Sequence, residues 1–161
     1  MYQFLIIAFS VYVCFGIESL LNALGGGCFT PNLLIILIVF FNLYRGIRYS
    51  LLTALVAGLL KDSFGVAAFG LNTTTFIASA YLASLLKLYT YQAGVSGSRV
   101  LLVFCICSVN ITLQYLVNMM FSTIEFSRAF THIFVPEIMV TTALTPYVFR
   151  KFKQCALRLF A

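Results

Sequence analysis

Charged side chains are almost confined to the joints between six apolar runs, and that spacing limits the chain to helices embedded in lipid. Ten lysines and arginines and four aspartates and glutamates make up 9% of the 161 residues, whereas 62% are hydrophobic. A soluble domain carries about 25% charged and about 45–50% apolar residues. A charge at the bilayer centre costs roughly 2.5–3.5 kcal/mol on insertion scales, so spans exclude charges and loops collect them. The pattern predicts a single integral membrane domain over 1–161: all-α, polytopic, with six transmembrane helices.

The first span runs from about Phe4 to Leu24, long enough for a hydrocarbon core of about 30 Å at 1.5 Å per residue. It lacks the basic start and small-residue cleavage site of a signal peptide, so it reads as retained. Glu18, near its far end, is expected to be wet. Gly25, Gly26 and Gly27 break the helix, and Thr30 then reads as an N-cap with Pro31 at the first helical position.

The second and third spans, 31–44 and 49–64, are both short, which suggests a sloping or recessed region or a thinned bilayer. The fourth covers 72–89, with Asn72 and three threonines as its cap. The fifth covers 100–121. The sixth, 132–149, holds Pro136, Glu137 and Pro146. A basic tail over 150–161 is amphipathic enough to lie on anionic lipid.

Basic residues set the orientation. With six spans, Arg45, Arg48, Lys87, Arg99, Arg150, Lys151, Lys153 and Arg158 all fall on one side, and Lys61 and Arg128 on the other. The positive-inside rule makes both termini cytoplasmic. The net charge of +6 is dispersed among loops, so it records topology and does not point to nucleic acid.

The segment from Gly58 to Leu71 stands out because it places Lys61 and Asp62 at the end of a span. Ser50, Ala54, Gly58 and Asp62 recur every four residues, and small residues on one stripe let helix backbones approach closely. Thr75, Ser79 and Ala83 form a matching stripe, which predicts a tight antiparallel hairpin of spans three and four. Asp62 has two readings: an interfacial carboxylate that pairs with Lys61 or caps a turn, or a buried polar contact between helices.

Asn110, Gln114 and Asn118 form a ladder on the fifth span, either interhelical glue at about 0.6 kcal/mol per contact or the lining of a small polar site. Glu137, beside Pro136, either satisfies backbone groups or faces an internal cavity.

Nothing in the sequence assembles chemistry. The five cysteines show no CxxC or Cys/His spacing, and the single histidine, His132, has no nucleophile placed with it. No P-loop, paired-aspartate metal motif or H-E-x-x-H is present. Neither catalytic residues, a cofactor nor a metal site is expected.

Specific residues suggest a family. Pro31-Asn32-Leu33-Leu34, an apolar run, Arg45-Gly46, then Gly58-Leu59-Leu60-Lys61-Asp62 and Gly65 to Gly70-Leu71, followed late in the chain by Ala143 to Arg150, resemble in order and spacing the bacterial rod-shape-determining protein MreD. Asn32 departs from that family's usual aspartate. The resemblance implies a non-enzymatic scaffold of the elongation machinery in the bacterial inner membrane. Its implied partner is MreC, with a RodA-type glycosyltransferase and a class B transpeptidase in support of peptidoglycan synthesis, alongside MreB.

The implied fold is similar to the six-helix substrate-binding subunit of energy-coupling-factor vitamin transporters, which makes a vitamin-capturing subunit the alternative. Against it, the first span has Ala8 and then Tyr12 where a second alanine would be expected, and the chain has no tryptophan.

Overall fold

The computed structural model describes residues 2–25, 31–64, 69–90, 96–121 and 135–159, and they form six helices. These are α1 (Tyr2–Gly25), α2 (Leu33–Arg45), α3 (Ile47–Phe64), α4 (Leu71–Thr90), α5 (Ser96–Phe121) and α6 (Val135–Leu159). Two of them, α1 over Phe4–Leu24 and α5 over Gly97–Leu116, are long and apolar enough to cross a membrane, and α2 is apolar but shorter.

The arrangement is centred on α2. Every residue from Pro31 to Leu43 is buried, on all faces of the helix. The other five helices all pack against it. Thirteen residues at 1.5 Å each give a rod of about 20 Å, less than the hydrocarbon thickness of a bilayer. A helix that is apolar all round belongs inside a protein or in lipid. Here it is inside the protein, so the short second run forms the axis of the bundle.

Burying a short helix strands its terminal N–H and C=O groups unless neighbours supply partners. They do so at both ends. At the start, the Asn32 side chain accepts the Ile35 N–H at 3.3 Å, and the Asn32 N–H donates to Thr141 Oγ1 at 2.9 Å. Asn32, not Thr30, is therefore the N-cap of α2: its short carboxamide reaches the third helical N–H, a preferred use of asparagine.

At the far end, Gly46 takes φ +92°, a conformation open to glycine, and donates to the carbonyls of Phe41 and Asn42. Lys87 of α4 donates to the carbonyls of Asn42 and Leu43 at 3.2 and 3.1 Å. An ammonium at a helix C-terminus also meets the negative end of the helix dipole. Lys87→Met keeps the stem and removes these bonds; it is expected to destabilise the protein by about 1–2 kcal/mol, measured by thermal unfolding in detergent.

Helices α3 and α4 pack on each other more extensively than any other pair. All four residues of the α3 stripe, Ser50, Ala54, Gly58 and Asp62, are buried, as are Thr75, Ser79 and Ala83 of α4. Ser50 Oγ donates to the Ile38 carbonyl of α2 at 3.1 Å. At Gly58 the helices are so close that an added methyl would land on the Thr73 Cα and within 2.9 Å of the Thr73 nitrogen and Oγ1.

The basic tail is continuous with the last helix. Helix α6 continues through Pro146 to Leu159. Phe149 and Phe152 hold this extension to the core, their rings 5.6 and 5.5 Å from that of Phe40.

Candidate functional site

Neighbouring positions on a helix point about 100° apart, so Lys61 and Asp62 cannot serve the same partner. Asp62 turns toward α4. Its Oδ1 accepts the Asn72 N–H and Nδ2, each at 3.0 Å, and its Oδ2 accepts the Thr73 N–H at 3.1 Å and the Thr73 hydroxyl at 2.6 Å. Only 5% of Asp62 is exposed.

The carboxylate is thus an N-cap supplied by another helix, set where free N–H groups and the positive end of the dipole attract an anion. Asn72 and the threonines do not cap their own helix, because α4 already begins at Leu71 and Asp62 takes the first free N–H groups.

Lys61 turns toward α1 and forms an ion pair with Glu18, Nζ to Oε1 at 2.9 Å. Its ammonium also lies 5.6 Å from the centre of the Phe76 ring. The Glu18 side chain is 12% exposed, so the carboxylate expected to be wet is mostly covered.

Gln114 of α5 donates to Asn72 Oδ1 at 3.0 Å, which extends the Asp62–Asn72 contact into a chain joining α3, α4 and α5. One turn earlier, Asn110 is fully buried with its Oδ1 3.2 Å from Ser79 Oγ. Asn118 belongs to α5, but its side chain lies outside the described residues, as do Glu125, Arg128 and His132.

Glu137, one turn before Thr141 on α6, accepts Asn32 Nδ2 at 3.1 Å. Asn32 therefore fastens the start of α2 to α6 with two bonds while it caps its own helix. Around these groups lies a pocket of about 320 Å³, lined by Glu18, Lys61, Asn32, Gln114 and Glu137, with Phe15 and Phe64 among its apolar walls.

The pocket gathers two acids, one base and three carboxamides (Asn22, Asn32, Gln114). Glu18, Lys61, Asn32, Gln114 and Glu137 each bond to a neighbouring helix, which ties the bundle together here, while Glu18 Oε2 is buried with no hydrogen-bond partner among the described residues. Among the described residues no group of three His, Cys, Asp or Glu side chains could hold a metal ion.

Ser50, Ala54 and Gly58 do not reach the pocket; they set the approach of α3 to its neighbours. Asn32, Glu18 and Lys61 also belong to the site, although the sequence suggested a wet Glu18, a Lys61 paired with Asp62 and no structural role for Asn32. A polar residue just before an apolar helical run is an N-cap signal, and that signal marks Asn32. Asn32→Asp would set two carboxyl groups against each other where a donor now meets Glu137. It is expected to cost about 1–3 kcal/mol, read from thermal unfolding, with Asn32→Ser milder because the cap survives.

No curated protein and no solved structure matches the chain. A family model described as rod shape-determining protein MreD matches residues 1–154, from α1 into the last turns of α6. With nearly the whole chain matched, the protein belongs to the MreD family, membrane components of the machinery that determines rod shape in bacteria.

Proposed function

We propose that this MreD-family chain acts as a multi-pass scaffold of the bacterial inner membrane. Six helices cross the bilayer with both termini cytoplasmic, in a fold akin to the transporter subunit named above. The scaffold binds MreC, and through it supports a RodA-type glycosyltransferase and a class B transpeptidase in peptidoglycan synthesis. The observation that carries the reading is how the interior polar groups are used. Asp62, Asn72, Gln114, Asn32, Glu137, Glu18 and Lys61 bond from one helix to another. Catalysis needs acids, bases or nucleophiles aimed at a common reacting centre; a rigid body that presents a surface needs only this kind of internal tie.

The presented surface is apolar. Phe4, Leu5, Phe9, Tyr12, Leu20 and Leu24 of α1 stand outward, more than half exposed. In lipid, helices associate through close packing and shape. The vitamin-transporter alternative draws on no observation of this structure.

The test is co-purification: tagged chain and MreC, expressed together and extracted in mild detergent, are expected to elute as one complex. Recovery of the well-folded chain without MreC would overturn the partner assignment. A carboxy-terminal tag reached by protease from outside intact spheroplasts would overturn the orientation.

A further inference from the structure

A second cleft opens between α5 and α6, far from the pocket of Glu18, Lys61 and Glu137. Arg99 precedes Gln114 on α5 and Arg150 follows Glu137 on α6, so the two sites are separated by about 20 Å along both helices. The cleft has a volume of about 430 Å³ and is lined by Arg99, Arg150, Thr145 and the apolar side chains of Val100, Pro146 and Phe149, with Tyr147 at its edge. Phe149 is a fixed floor, 3% exposed and packed edge-on against Phe40.

The two guanidinium groups come from different helices, and among the described residues no acid lines the cleft with them. The Nε of Arg99 is buried and has no hydrogen-bond partner among the described residues. A buried donor without an acceptor is costly, and a guanidinium offers a planar fork that fits phosphate oxygens two at a time. The walls are chiefly hydrocarbon, and Phe104, one turn beyond Val100 on α5, continues an exposed apolar surface from the cleft. Tyr147, 62% exposed with the Lys151 ammonium 5.8 Å from its ring centre, has the amphipathic character of residues at headgroup depth. Paired cations over an apolar slot match a phosphate that carries acyl chains better than a free anion.

We propose that the Arg99–Arg150 cleft binds the phosphate of an anionic phospholipid, with an acyl chain running past Val100 toward Phe104. Assigning that lipid to the cytoplasmic leaflet rests on the orientation proposed above; the binding chemistry does not. Basic pockets between helices on the cytoplasmic side are where anionic headgroups collect.

The experiment titrates the full chain, purified in a neutral detergent, with phosphatidylglycerol, phosphatidylcholine or inorganic phosphate, and follows bound lipid by native mass spectrometry and the unfolding temperature. Phosphatidylglycerol is expected to bind and raise the unfolding temperature more than phosphatidylcholine, and inorganic phosphate to have little effect. Arg99→Gln and Arg150→Gln should each weaken phosphatidylglycerol about fivefold, while Arg48→Gln, exposed on another helix, should not.

Equal weakening by Arg48→Gln, unchanged binding in the double Arg99→Gln/Arg150→Gln variant, or equal protection by inorganic phosphate would each overturn the proposal. Arg150 is exposed, so its variant tests the site without threatening the fold. Because micelles have no leaflets and contain no MreC, a negative result here counts against the lipid site alone. A failed co-purification or a reversed tag counts against the scaffold reading alone.

Discussion

Gly58→Ala is expected to destabilise the protein by about 3 kcal/mol, and Gly58→Leu by more. The added carbon meets the Thr73 backbone, which cannot rotate away as a side-chain tip would. Overpacking a tight contact costs about 1–3 kcal/mol, and the upper part of that range applies where the obstacle is main chain.

A second loss is coupled to the first. Gly58 lies one turn from Asp62, so pushing α4 outward also stretches the four bonds to Asn72 and Thr73. Gly16→Ala is the control: nothing lies within 4 Å of the new methyl on the exposed side of α1. There alanine should be neutral or stabilising by about 0.5–1 kcal/mol through helix propensity. Thermal unfolding in detergent reads both variants, and similar values for Gly16→Ala and Gly58→Ala would refute the close approach of α3 and α4. If Gly58→Leu also lowers recovery of MreC, the partner proposed above, the hairpin matters to that association as well as to the fold.

Asp62→Ala should cost a comparable amount, about 3 kcal/mol. It orphans the Asn72 and Thr73 N–H groups at a buried helix start, together with the Thr73 hydroxyl and the Asn72 carboxamide. Each buried donor left without an acceptor costs about 1–3 kcal/mol, moderated where the first turn of α4 can fray or water can enter. Asp62→Asn retains one oxygen but turns an NH₂ toward donors, so it should fall between wild type and alanine. Amide hydrogen exchange separates this cap from a general packing effect. Protection should be lost first in the opening turn of α4, with α2 unchanged. A uniform loss of protection across all helices would contradict the cap, and unchanged exchange at Asn72 and Thr73 would remove it.

The α3 stripe shows how far sequence spacing reaches. Small residues four apart on both sequence neighbours announce a close hairpin, because periodicity and side-chain volume are local properties. The same logic marks Gln114 and Asn110 as inward-facing. It fails at Lys61, where adjacency to Asp62 suggests a pair that helix geometry forbids, and at Glu18, whose partner is 43 positions away. It also misplaces the caps of α2 and α4, since the oxygen that completes α4 comes from α3.

Residue chemistry alone determined that this chain is helical and apolar, where its charges collect, and which family it resembles. These follow from hydrocarbon content and period, which need no knowledge of neighbours. Only the tertiary structure decided that the shortest apolar run is the buried axis of the bundle. It also decided that Asp62 completes α4, and that Glu18, Lys61, Asn32 and Glu137 share one pocket. Those outcomes depend on which donors and acceptors meet when five helices close around a sixth, and one-dimensional spacing does not encode that meeting.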